Sequence, residues 1–166
     1  MKAAIATAYG NPDVIRITEV PTPAPRANEI LVRIHASAVN AADWRLRSAN
    51  PWFVRLVFGP FKPRRPILGV VFAGQVVGTG AAVTKYTKGD KLFGWTSLMK
   101  LGGHAEFVAL PEDGAFAPMP ADMIYTDAAA IPFGFGTALN FLQKAKVAKG
   151  QRVLIYGASG AVGSAA

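Results

Sequence analysis

Gln151-Arg152-Val153-Leu154-Ile155-Tyr156-Gly157-Ala158-Ser159-Gly160-Ala161-Val162-Gly163-Ser164-Ala165-Ala166 is the stretch whose reading decides the fold. A short apolar run, residues 153–156, meets a glycine-rich turn and then small helix-forming residues. Strand, glycine turn and helix in that order open a βαβ unit, in which backbone N–H groups and a helix N-terminus receive a pyrophosphate. Read as Ala158-x-Gly160-x-x-Gly163, the turn keeps the spacing of the G-x-G-x-x-G fingerprint, with alanine at the first glycine. Gly160 would let the backbone approach a diphosphate, and Gly163 would let the helix pack close to its strand. Ser159 would add a hydroxyl donor. Ala158, Ser159, Gly160, Ala161, Val162 and Gly163 are therefore the candidate cofactor-binding residues of the turn. The alternative is a purely structural turn, since glycine-rich strand-to-helix turns are common. A full βαβ unit takes about 30 residues, so its helix has only begun here.

Working back toward the N-terminus, residues 127–131 and 133–146 read as two helical pieces divided by Pro132, which lacks the N–H a helix interior needs. Ile131, Phe135, Leu139 and Leu142 recur at helical spacing and are expected to form the buried face. Earlier residues read as short strands: 2–8, 14–20, 30–38, 69–80, 92–94 and 105–110, punctuated by glycine and proline. Val32, Ile34 and Ala36 alternate with Arg33, His35 and Ser37, which places His35 on the wetter face. Gly69, Gly74, Gly78 and Gly80 suggest bulges or tight bends in a small, strongly curved barrel. Residues 41–47 read as a short helix, and His104 as structural. Residues 50–66 form a bulky loop with Trp52, Phe53, Phe58 and Phe61. That loop either packs over the core, walls an apolar substrate site, or touches a membrane.

The formal charge of +8 is confined to one segment. Between Trp44 and Gly89 there are eight basic and no acidic residues, and the remainder is balanced. Three readings stay open: a solvated basic surface, a field that draws in an anionic cofactor, or contact with nucleic acid or an anionic membrane. The basic residues form neither a helical stripe nor an RNA-type aromatic motif, which counts against nucleic acid. No apolar run is long enough for a membrane-spanning helix, and the N-terminus does not read as a signal peptide. The chain has no cysteine, which removes disulfides, thiolate nucleophiles and Cys-ligated zinc. The cytoplasm is the expected compartment.

Residues 32–40, 66–80, 88–94, 103–108, 128–142 and 150–163, taken together and in order, resemble the medium-chain dehydrogenase/reductase superfamily. Within it they are similar to the zinc-independent quinone-oxidoreductase-like branch. The resemblance implies a mostly β, GroES-like, partly open barrel that carries the substrate and catalytic groups (residues 1–125). Helices and the first strand-turn of a truncated Rossmann α/β domain would follow (126–166), with the active site in the cleft between. It implies an apolar conjugated carbonyl or quinone as the substrate receiving hydride, and no nucleic acid or membrane partner. The cofactor would be nicotinamide, NADP(H) ahead of NAD(H), and the parent protein a homo-oligomer. Asn40 and Thr137 would sit beside the nicotinamide, although Asn40 also reads as a turn-former and Thr137 as a hydroxyl bonding back to its own helix. The metal ligands are missing: Asn40 stands where zinc-dependent relatives have a cysteine, and Gly69-Val70-Val71 where they have Gly-His-Glu. A catalytic zinc takes three protein ligands, so no zinc is expected. The catalytic residues stay unknown; Asp43 and Tyr125 are proton-donor candidates by residue type alone. As an N-terminal portion of longer proteins, the chain alone is expected to bind dinucleotide weakly and turn over nothing. The other readings are a non-enzymatic GroES-like binding or assembly module and a basic-aromatic surface protein.

Overall fold

The computed structural model describes residues 1–166. In chain order the elements are β1 (Lys2–Ala6), β2 (Ile15–Glu19), β3 (Glu29–Ala36), α1 (Ala41–Ser48), α2 (Val54–Phe58), β4 (Val71–Thr79), β5 (Lys91–Trp95), β6 (Phe107–Pro111), β7 (Phe116–Pro118), α3 (Tyr125–Lys144) and α4 (Ala161–Ala165). β1 and β2 form an antiparallel pair, and the other strands form a sheet ordered β6-β3-β4-β5-β7, antiparallel throughout. The alternation of β3 sets the architecture. Ile30 and Val32 are fully buried while Arg33 and His35 face water. With Phe72, Val76, Leu92, Val108 and Leu110 they fill the interior of the curved sheet.

The curvature has a visible origin. The β3–β4 register slips between Leu31 and Val32 and again between Ile34 and Ala36, and each slip bends the strand. Gly74 sits against the Arg33 carbonyl, where a side chain would collide with the backbone. The central strand β4 is buried on both faces: Phe72 enters the barrel core, while Ala73 packs against Ala128 and Ala129 of α3. A further cluster of Ala6, Leu46, Leu68, Val70, Val71 and Leu101 lies against α1 and α2. The fold is thus the mostly β, GroES-like barrel followed by helices and the beginning of a Rossmann-like unit.

Five details differ from the reading of the sequence. The expected helices 127–131 and 133–146 are one helix, α3, with Pro132 inside it. Pro132 is buried and its carbonyl accepts the Trp95 indole N–H at 3.2 Å, so packing against the barrel carries the helix past one missing backbone bond. The buried face of α3 is made by Ala128, Ala129, Pro132, Gly134 and Ala138, not by Ile131, Phe135, Leu139 and Leu142. Phe135 is 51% exposed and Leu139 42%, because helix and sheet approach too closely for large side chains between them. Residues 153–156 form no strand: no neighbouring strand lies within ladder distance, and Leu154 and Tyr156 are almost wholly exposed. The loop 50–66 contains the short helix α2, and the three-residue strand β7 has too little sequence to show a period.

Candidate functional site

β3 ends at Ala36 and the chain crosses to α1 through Asn40, the helix N-cap, in extended backbone conformation. The Asn40 side-chain Oδ1 accepts the Ala42 N–H at 2.9 Å, and the Asn40 backbone N–H donates to Asp43 Oδ2 at 2.9 Å. This is a reciprocal cap, with Asp43 in the position a glutamate usually takes. Asp43 is 3% exposed, and its other oxygen accepts the Gly69 N–H at 3.1 Å. Gly69 has φ +96° and packs so tightly on the backbone of Gly103 and His104 that only glycine fits. His104 Nε2 lies 4.0 Å from Asp43 Oδ2. One buried carboxylate therefore ties the start of α1 to the entry to β4.

The cap has a chemical consequence for Asn40. With Oδ1 committed to Ala42, the amide nitrogen is the end that remains, and Nδ2 is buried with no hydrogen-bond partner. Leaving such a donor unpaired costs about 1–3 kcal/mol, and His104 Nε2 is the other buried side-chain nitrogen without a partner. Asn40 borders a cavity of about 640 Å³ shared with Phe133, Ala138 and Phe141 of α3 and with the glycine turn. Of the turn residues expected to hold a cofactor, Gly160, Ala161, Val162 and Gly163 line this cavity; Ala158 and Ser159 lie outside it. Thr137 is not among the lining residues either, and its hydroxyl donates to the Phe133 carbonyl at 2.7 Å.

The two glycines of the turn differ in what they require. A methyl at Gly163 would overlap the Gly157 carbonyl, so glycine there serves the packing of α4 on its own turn. A methyl at Gly160 would meet nothing nearer than the Gly157 oxygen at 3.4 Å, and φ is −82°. No protein atom demands glycine at 160. Gly157 takes φ +76° and its carbonyl accepts the Gly160 N–H at 3.0 Å, which closes the turn. No side chain caps α4, so its first N–H groups are left for other acceptors. The residues present are compatible with a dinucleotide: Asn40 and an open backbone turn line the same cavity.

Gly134 escaped the reading of the sequence. It lies in α3 directly against the Ala161 carbonyl, with no room for a methyl, and so seats the turn on the helix. The signal available was a pair of glycines, Gly134 and Gly136, inside a helical pattern. The aromatic loop does not reach the cavity. Phe58 packs on the core, while Trp52, Phe53 and Phe61 are exposed and absent from the cavity lining. Tyr125 stacks on His35 with ring centroids 4.3 Å apart, also outside the cavity, and Asp43 has both oxygens engaged. No three His, Cys, Asp or Glu side chains come together as a metal-binding group. No helix is long and apolar enough to cross a membrane.

Residues 26–121 match the alcohol dehydrogenase GroES-like domain, more than half of the chain. The chain is 32% identical over 167 residues to the quinone oxidoreductase of Rattus norvegicus, covering 99% of this chain and 48% of that protein. It is 32% identical over 174 residues to the 2-methylene-furan-3-one reductase of Solanum lycopersicum, covering 99% of this chain and 42% of the relative. The solved quinone oxidoreductase of Coxiella burnetii superposes with a TM-score of 0.90 at 30% identity, over 99% of this chain and 51% of the other. The chain spans about half the length of these relatives. With its GroES-like barrel and this set of relatives, the chain belongs to the medium-chain dehydrogenase/reductase superfamily, in the quinone-oxidoreductase-like branch.

Proposed function

We propose that this chain supplies the substrate-domain half of an NAD(P)H-dependent oxidoreductase that reduces a quinone, an enone or a similar conjugated carbonyl without zinc. Residues 1–125 would form the substrate and catalytic domain, and 126–166 the connecting helix and the beginning of the nucleotide-binding domain. The observation that carries the reading is the cavity that Asn40 shares with the Gly160–Gly163 turn, beside a buried Asn40 amide nitrogen that has no hydrogen-bond partner. When bound, the nicotinamide cofactor supplies the hydride. Asn40 would donate to the carboxamide end of the cofactor and fix which ring face meets the substrate, a positioning role that lowers the barrier through orientation. The free N–H groups at the start of α4 would receive the diphosphate, Ser159 would add a hydroxyl, and Thr137 would reach the cofactor by exchanging its bond to the Phe133 carbonyl. Phe133 and Phe141 would give an apolar substrate its wall. A conjugated acceptor spreads the developing negative charge, so hydrogen bonds and protonation from water can replace a Lewis acid. The net charge of +8 favours the more anionic NADP(H) over NAD(H).

The relatives support the substrate class: one is named a quinone oxidoreductase and another a reductase of a methylene-furanone. The test is a titration of the isotope-labelled chain with NADPH, followed by its amide resonances. The Asn40 side-chain amide and the backbone amides of Gly160–Gly163 should shift together, with weak affinity, since residues 151–160 are all exposed. NADPH should not be consumed by this chain with quinone added. Shifts confined to other parts of the barrel would overturn the reading.

A further inference from the structure

A second concave site lies apart from the Asn40 cavity and shares no lining residue with it. It is a groove of about 660 Å³ between the proline-rich segment after β2, the segment 64–67 and the start of β6. Pro21, Pro23 and Pro66 stand in its walls, with Ile67, Phe107 and Val108 among its apolar lining. Proline walls have little conformational freedom to lose, so the groove is largely formed in advance. Its charge is one-sided. Arg26, Arg64, Arg65 and Lys100 line it against a single carboxylate, Glu29.

That carboxylate is already taken. Glu29 is 5% exposed, accepts the Arg26 backbone N–H at 3.0 Å and pairs with Lys100. Burial pushes the Glu29 carboxyl up, but the Lys100 hydrogen bond, the Arg26 N–H and the charges of both residues outweigh burial and hold it below the ordinary carboxylate range. It stays ionised and is spent on Lys100. The only other basic and acidic side chains within 4.0 Å of one another are His104 and Asp43, so Arg26, Arg64 and Arg65 have no carboxylate within salt-bridge distance. None of their guanidinium groups makes a hydrogen bond to a carboxylate or a carbonyl. The backbone presenting Arg64 and Arg65 is anchored: the Arg64 N–H donates to the Phe58 carbonyl at 2.8 Å, and the Pro66 carbonyl accepts the Ala6 N–H at 2.8 Å. These two arginines are also the densest point of the acid-free stretch from Trp44 to Gly89.

We infer that this groove binds an amphipathic oxyanion, a molecule with an apolar acyl or aryl body ending in a carboxylate. Arginine offers paired donors that match a carboxylate, and unpaired arginines lining one groove favour an anion there. The apolar lining would hold the body. This site is independent of the proposed oxidoreductase activity.

Decanoate is the probe, titrated into the whole 166-residue chain by calorimetry and by amide resonances, with acetate and decyltrimethylammonium for comparison. Decanoate should bind saturably and shift Ile67, Gly102, Ala105 and Val108. Acetate should bind far more weakly for want of a body, and the cation should not bind. The R64Q/R65Q double variant, altering two exposed side chains, should keep its thermal unfolding and lose about tenfold or more in decanoate affinity. The R64K/R65K variant should fall between. Equal binding of the cationic probe, undiminished decanoate affinity in R64Q/R65Q, or shifts centred on Gly157–Gly163 would each overturn the assignment.

Discussion

The Asp43 carboxylate accepts the Asn40 backbone N–H at 2.9 Å while its other oxygen holds the Gly69 N–H at 3.1 Å, so one buried side chain positions both the cap of α1 and the entry to β4. Asp43→Ala removes the cap and strands a buried Gly69 N–H, which should cost about 2–4 kcal/mol in denaturant unfolding. Asp43→Asn keeps an oxygen acceptor and should cost less. Two variants that both unfold like the parent would show that the carboxylate holds nothing.

Gly160 and Gly134 separate a glycine kept open for a ligand from one required by packing. Gly160→Ala meets no protein atom closer than 3.4 Å, so unfolding should change by less than about 0.5 kcal/mol, yet the NADPH-induced shifts should vanish. Gly134→Ala forces a methyl against the Ala161 carbonyl, and should displace α4 and the turn while leaving the barrel resonances in place. NADPH shifts that survive Gly160→Ala would count against a diphosphate lying on that backbone.

Glu29 makes stability depend on acid. Its pKa in the folded chain lies below the ordinary value, so its contribution is complete above the ordinary carboxylate range. That contribution is lost as pH falls through the lowered folded value. Urea unfolding measured from neutral pH downward should show this loss, and Glu29→Gln should flatten the corresponding part of the curve. Lys100→Met leaves the buried carboxylate without its cation. With the Lys100 side chain 36% exposed, the cost at neutral pH should be modest, about 1–2 kcal/mol. A Glu29→Gln curve that parallels the parent throughout the acid range would contradict this.

Leu154 and Tyr156 are 92% and 100% exposed in a segment rich in β-branched and aromatic residues. Such a segment, unpaired, invites association between chains. Leu154→Lys should leave thermal unfolding unchanged and reduce light scattering at high protein concentration. Unchanged scattering would locate any association elsewhere on the molecule.

Much of the barrel was legible because strand alternation is a local property. The pattern Ile30-x-Val32 against Arg33-x-His35 places β3 whatever surrounds it, and the turn at Gly89-Asp90 closes through local bonds, with the Thr87 N–H on Asp90 Oδ2 at 2.8 Å. The face of α3 was not legible. Helical spacing marks where apolar residues recur, but which face is buried depends on how near the sheet comes. At β4 the small residues Ala128 and Ala129 pack on Ala73, while Phe135 and Leu139 are left exposed. The strand expected over residues 153–156 failed for a related reason: a ladder needs a neighbour, and propensity alone does not provide one.

From the residues alone came the absence of cysteine, the acid-free basic segment, the glycine-turn spacing and the inward alternation of the barrel strands, all of which are properties of adjacent positions. The three-dimensional arrangement decided the rest. Asn40 Nδ2 is left without a partner because Ala42 claims the amide oxygen. Asn40 shares a cavity with the Gly160–Gly163 turn, some 120 positions further along the chain, because α3 seats that turn at Gly134. The reason is physical: an orphaned donor and a shared cavity are defined by contacts between distant segments, and those exist only once the chain has packed.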